Sequence, residues 1–252
     1  ERSKNAVRVT PIGDKVVRQA QRVLEQAEAI KELSREGKDQ LATPLRVGAI
    51  YTIGPYLFPR LIPEVQQIAP QMPLYIEENL TEVLRSKIRT GELDAIIIAL
   101  PFHEPDVLTR AVYDETFSLI TPKGHELSKA GAVDSHKLNE LDMLLLGEGH
   151  CFRDQVLEAC PSLNQSFHDQ HRVTEGSSLE TIRMMVASGL GTSVLPESAL
   201  ANHPSNALVD IVPFNDPKPM RSVAVAWRAS FPRPQAIDVL VDAIAKCRAL
   251  DS

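Results

Sequence analysis

Over the first forty residues the apolar positions Val16, Ala20, Val23, Ala27 and Ile30 recur at alternating intervals of four and three, with Gln and Glu on the other faces and Gly37 beyond them. This heptad spacing predicts one long helix over 11–36 whose seam pairs with another helix; an amphipathic helix packed on its own domain would show a similar pattern. From Leu45 onward the pattern changes. Short apolar runs at 45–50, 74–77 and 95–100 predict strands, separated by helical stretches at 56–69 and 80–90, with Gly91 and Asp94 as punctuation. Such βαβαβ alternation predicts a mostly parallel sheet covered by helices.

A second series repeats the logic, with strands near 117–121, 143–146, 171–173 and 192–195 and helices near 152–159 and 178–188. A last strand at 222–227 and a helix over 235–250 return to the first series. The predicted fold class is therefore α/β: two Rossmann-like subdomains, 41–115 with 220–252 and 116–219, with a cleft between them and a linker helix in front. Ligands of such sheets gather at the carboxyl ends of the strands. Ser178, ahead of Leu179-Glu180-Thr181-Ile182, or Ser177 beside it, is a candidate helix cap, and serines at a helix start can also bind an anion. Proline-rich spots at 213–219 and 232–234 read as loops.

Composition narrows the classes of function. A chain of 252 residues, 43% of them hydrophobic, buries a substantial core. No apolar run approaches the roughly 18 residues of a membrane-spanning helix, and the charged N-terminus lacks the apolar segment of a signal peptide, so a cytoplasmic protein with no membrane partner is expected. A net charge of −6 argues against a broad nucleic-acid-binding face. Three cysteines are too few for a disulfide scaffold, and in a reducing compartment a cysteine pair is more often transient, regulatory or metal-binding.

Two of the cysteines carry the most pointed signal. Cys151 and Cys160 stand nine apart in the run Gly147-Glu148-Gly149-His150-Cys151-Phe152-Arg153-Asp154-Gln155-Val156-Leu157-Glu158-Ala159-Cys160. With 152–159 helical, the sulfurs would lie roughly 13 to 14 Å apart along the axis. A disulfide needs Cα atoms within about 7 Å, so bonding would unwind the segment and convert oxidation into a change of shape. Cys151 follows a glycine-bounded loop at a helix start, where the dipole favours negative charge, and His150 and Arg153 are neighbouring cationic or donor groups. Cys247, on the last helix, reads as a small buried apolar residue.

Arg8-Val9-Thr10-Pro11-Ile12-Gly13 leading into a long helix resembles the passage from the winged helix-turn-helix to the linker helix of LysR-type transcription regulators. Thr52-Ile53-Gly54-Pro55-Tyr56-Leu57, the segment 149–155 with a second cysteine at 160, and Ser178-Leu179-Glu180-Thr181 resemble the peroxide-sensing members of that family. The resemblance covers nearly the whole chain. It implies two subdomains of periplasmic-binding-protein type, with 1–40 as the end of the winged helix-turn-helix and the linker helix. It also implies that the DNA reader lies outside this chain, which would sense without promoter specificity. On this resemblance, hydrogen peroxide oxidises Cys151 to a sulfenic acid, Cys160 resolves it as an intramolecular disulfide, and Thr52, Thr81, His150 and Arg221 bind the peroxide. The implied partners are a second copy of the chain (a dimer of this fragment, a tetramer at full length), promoter DNA and RNA polymerase through the full-length protein, and a cellular disulfide reductant. The outcome would be activation of antioxidant genes, with no cofactor and no metal.

Other readings predict different behaviour. Without the family, Thr52 is a strand-end or helix-cap residue and Thr81 an N-cap. A regulator of the same family could bind a small organic effector in the cleft, with the cysteines incidental. An enzyme, either a thiol peroxidase or a cysteine hydrolase, is disfavoured: sequence-adjacent His150 and Cys151 make a poor dyad, and the proline- and threonine-bearing loop of peroxiredoxins is missing. Zinc is disfavoured because Cys151 and Cys160 lack close C-x-x-C spacing, and His168 and His171 read as loop residues.

Overall fold

Two short strands, β1 (Arg2–Ser3) and β2 (Ala6–Val7), pair antiparallel ahead of the long helix α1 (Pro11–Leu33). The structure, a computed structural model, describes residues 2–3, 6–7, 10–33, 40–159, 173–201 and 203–249. Along α1, Val16, Val23 and Ile30 remain 61%, 60% and 66% exposed, so the seam is not spent on this chain's own core. The helix touches the body through polar links instead: Gln21 Nε2 donates to Arg89 O at 3.3 Å, and Arg22 lies 3.4 Å from Asp106.

The first α/β series forms as its pattern predicts: β3 (Leu45–Ile50), α2 (Gly54–Ile68), β4 (Leu74–Asn79), α3 (Thr81–Thr90) and β5 (Ala95–Ala99). Strand β3 lies parallel between β4 and β5. The apolar runs of β3 and β5 are buried on both faces, which is why they read as near-continuous hydrophobic stretches. Leu84 and Ile88, one turn apart on α3, are fully buried, each contributing about 1.5–3 kcal/mol by leaving water. Gly91 ends α3 in the left-handed conformation, φ 75°.

Strand β6 (Val107–Pro122) is far longer than the predicted 117–121 and joins the two halves of the molecule. Its first part pairs antiparallel with β11 (Met220–Arg228), and its last part with β9 (Ser193–Pro196) and β10 (Val209–Pro213). Between these lie β7 (Met143–Leu146), α4 (Cys151–Ala159), β8 (Val173–Gly176), α5 (Leu179–Ala187) and the short α6 (Glu197–Leu200). The main sheet runs β10-β6-β11-β5-β3-β4, while β7 and β8 form a separate parallel pair. The sheet is thus mixed rather than mostly parallel. Strand β11 returns to the first series against the direction of β5, because it arrives as a crossover from the other half and not through a βαβ unit.

Two hydrophobic cores result. One gathers β3, α2, α3, β5, β11 and the terminal helix α7 (Pro234–Ala249), including Cys247 at 1% exposure. The other gathers the end of β6 with β7, α4, α5, β9 and β10. In the second core, Gly191 (φ +154°) is pressed against the backbone, and an added Cβ would stand 2.5 Å from Asp142 O. Gly191→Ala is therefore expected to cost about 1–3 kcal/mol, read as a lower thermal midpoint; an unchanged midpoint would mean that the 191–192 backbone moves freely.

Candidate functional site

Cys151 is the first residue of α4, and its side chain packs against the core of the other half of the molecule, so the sulfur sits on the seam between the two cores. The loop before it is held there by Gly149 (φ +90°), where an added Cβ would stand 3.3 Å from Leu80 Cδ1. Opposing influences act on the thiol. Burial is the largest and pushes its pKa up; the Thr81 hydroxyl and the Arg221 charge favour the thiolate, and Asp154 opposes it. Burial wins, so near neutral pH Cys151 is chiefly a protonated thiol, in contrast to the ready thiolate that a helix start suggests. Thr81 Oγ1 is buried without a hydrogen bond of full geometry, and its interaction is with this sulfur.

Arg221 is almost wholly buried and tightly held. Its Nε donates to Glu115 Oε1 at 2.7 Å, and its Nη2 lies 2.6 Å from a Glu115 carboxylate oxygen. Nη1 donates to Thr52 Oγ1 and Nη2 to Thr52 O, each at 2.9 Å. The guanidinium lies 5.1 Å from the centre of the Phe152 ring, which packs edge-on against Phe117. Thr52 follows β3, Arg221 lies on β11, and Glu115 is its register partner on β6. Neither threonine caps a helix: Ile53 is the N-cap of α2 and Leu80 that of α3.

His150 stacks obliquely on Tyr51, with ring centroids 5.9 Å apart, and burial lowers its pKa, so at neutral pH it is an uncharged imidazole rather than a cation. Arg153 is committed elsewhere, donating to Leu146 O at 2.9 Å and to Glu175 at 2.6 Å. Cys160, His168 and His171 lie outside the described residues, and among the described residues no cluster could hold a metal ion. Ser178 acts as a cap, its Oγ accepting from Thr181 N at 3.1 Å.

Beside the thiol a cleft of about 490 Å³ opens between the halves, at the carboxyl ends of β3, β4 and β8. Tyr51, Glu78, His150 and Glu180 are among its walls. Tyr56 spans the seam, donating to Glu180 Oε1 at 3.0 Å, and burial together with that carboxylate pushes its hydroxyl pKa up. Glu180 also meets Arg183 and His203, each at 3.3 Å. Glu115 and Glu78 carried no signal in the sequence, and Tyr56 entered only as part of the 52–57 segment with no role of its own; the strand register, the end of β4 and the meeting of α2 with α5 give the three their places.

A family model described as the LysR substrate binding domain matches residues 38–248. A probable hydrogen peroxide-inducible genes activator from Mycobacterium avium is 35% identical over 230 residues, 91% of this chain and 73% of that protein. The solved structure of a full-length OxyR variant from Pseudomonas aeruginosa is 61% identical, with a TM-score of 0.83 over 97% of this chain and 78% of that one. An H2O2-bound OxyR mutant from Corynebacterium glutamicum is 29% identical, with a TM-score of 0.78 over 100% of this chain and 79% of that one.

Proposed function

The chain belongs to the LysR substrate-binding domain family, and from that membership we propose that it is the regulatory part of a hydrogen-peroxide-responsive transcription regulator of OxyR type. The observation that carries this reading is the convergence on Cys151, from separate stretches of the chain, of Thr81, Arg221 and, through Arg221, Thr52.

In the proposed reaction the Cys151 thiolate attacks one oxygen of hydrogen peroxide. The S–O bond forms, the O–O bond breaks, and the departing hydroxide takes up a proton and leaves as water, so that the sulfur is oxidised to a sulfenic acid and the peroxide is reduced. Thr52 Oγ1 accepts from Arg221, which leaves its own proton to donate to a peroxide oxygen. Thr81 offers a donor and acceptor at the sulfur, neutral His150 offers a proton close by, and the Arg221 charge favours both thiolate and departing hydroxide. The Cys160 thiolate then attacks the sulfenic sulfur: S–S forms, S–O breaks, and the departing hydroxide takes up a proton and leaves as water; a dithiol reductant later returns both thiols and is itself oxidised to a disulfide.

Because α4 begins at Cys151, the disulfide requires that helix to be given up, at the seam between the two cores. That refolding would alter oligomer packing and so promoter binding, RNA polymerase contact and transcription of antioxidant genes. The exposed stripe of α1 supports pairing of two copies, with a tetramer at full length. Subdomains divided near 115 and 220, a cytoplasmic setting and stoichiometric oxidation in place of enzymatic turnover belong to the same proposal. No helix among the described residues is long and apolar enough to cross a membrane.

The second reading, a regulator answering a small organic effector, is supported by the cleft beside Tyr51, Glu78 and Glu180. A brief pulse of stoichiometric peroxide on the reduced protein separates the two. Peptide mass spectrometry is expected to find a Cys151–Cys160 bond, replaced in Cys160→Ser by Cys151 sulfenic acid; intact thiols would favour the effector.

A further inference from the structure

We propose that Glu115 is the positioning residue of the Cys151 site: its carboxylate holds the Arg221 guanidinium on Thr52 and offsets its charge, so that the pair, and not Arg221 alone, sets the field at the sulfur. The inference rests on the reading of Cys151 as the reacting thiol, but the electrostatic claim is independent of peroxide.

Geometry carries the proposal. Side-chain exposures of 1% for Arg221 and 0% for Glu115 leave no water between the charges, and Arg221 directs two nitrogens at one carboxylate oxygen. The remaining oxygen, Oε2, accepts from Ser198 N at 3.2 Å, at the start of α6 in the other half. Glu115 thus ties Arg221 and Thr52, which belong to the first core, to a segment packed with the second. A buried cation with its counter-ion in contact exerts much less field on a third group than the cation alone. The groups that bear on the sulfur are Thr81 from α3, Arg221 from β11, Asp154 from its own helix and neighbouring His150; those that bear on the Arg221 charge are Glu115 from β6, Thr52 after β3 and the Tyr56 hydroxyl of α2. Cys151 is held as a thiol partly because Arg221 is already answered by Glu115. Relative motion of the two halves would loosen the Ser198 link and change how fully it is answered.

The test is the pH profile of iodoacetamide alkylation of Cys151 in the reduced protein, followed by peptide mass spectrometry, for the unaltered chain and Glu115→Gln. Glutamine keeps an oxygen for Arg221 and removes the charge. The alkylation midpoint is expected to fall by about one pH unit, with the plateau rate at high pH within about twofold of the original. A midpoint that does not move, or that falls only together with a raised plateau, which would signal a loosened and more accessible site, overturns the proposal. Should Glu115→Gln fail to fold, Glu115→Asp draws the charge back by one methylene and is expected to give a smaller shift in the same direction; an unmoved midpoint there overturns the proposal equally. Neither arm uses peroxide, so loss of the peroxide response and failure of this inference are read separately.

Discussion

Cys151→Ser is expected to leave the protein without any peroxide-driven disulfide, with Cys160 and Cys247 recovered as thiols after a pulse that fully oxidises the unaltered chain. The substitution exchanges a sulfur that can be oxidised for a hydroxyl that cannot, at nearly constant volume, so the packing of α4 on the first core should survive. Cys247 offers no replacement, since it is buried at 1% exposure in the first core and on the last helix. The decisive measurement is quantitative thiol mapping with a thermal scan as control. If Cys160 were still oxidised in the serine variant at the original rate, Cys160 would be the peroxide-reactive residue and the order of the two steps would be reversed.

Arg221→Met is expected to be among the most destabilising single substitutions in the chain, costing about 3–5 kcal/mol, because it strands the Glu115 carboxylate in a dry interior. Among the described residues Glu115 would keep only the Ser198 amide as a donor, and Thr52 would lose both bonds that Arg221 gives it. Urea unfolding followed through Trp227, the single tryptophan and a residue of the same strand β11, measures this directly. Pairing the change with Glu115→Leu should recover most of the loss, since an apolar pair in place of a buried ion pair is often neutral or better. A double variant as unstable as Arg221→Met would mean that the arginine contributes chiefly by shape, through Phe152 and Thr52, and not by answering a charge.

Much of the fold was legible because local pattern and burial agree. The β3, β5 and β7 runs are apolar on both faces, and each is a strand within a residue of its predicted span. The first part of β6 carries no strand signal because Val107–Thr116 is mostly exposed or half-buried and mixes charges with apolar residues, so neither alternation nor a continuous run stands out. Strand β10 is five residues ending on a proline, and it abuts the stretch read as a loop. The parallel expectation failed at β11 and β6, whose direction depends on where the chain returns from rather than on their own residues.

At the site the division is similar. A glycine-bounded turn into a helix that begins at Cys151, and Ser178 as a cap, follow from residue types at neighbouring positions, and the sequence determines them through backbone geometry and capping chemistry. Long-range partners do not follow. Arg153 and Arg221 are the same side chain in the sequence, yet the nearer one is taken by Leu146 O and Glu175, whereas the distant one acts on the sulfur. The thiol's raised pKa, the neutral state of His150 and the pairing of Glu115 with Arg221 are also products of tertiary structure. Pattern and spacing determine which elements form and which residue types are available for chemistry. Burial and charge proximity are properties of the assembled seam, where residues far apart in the chain share a small volume from which water is largely excluded, and only the tertiary structure decides them.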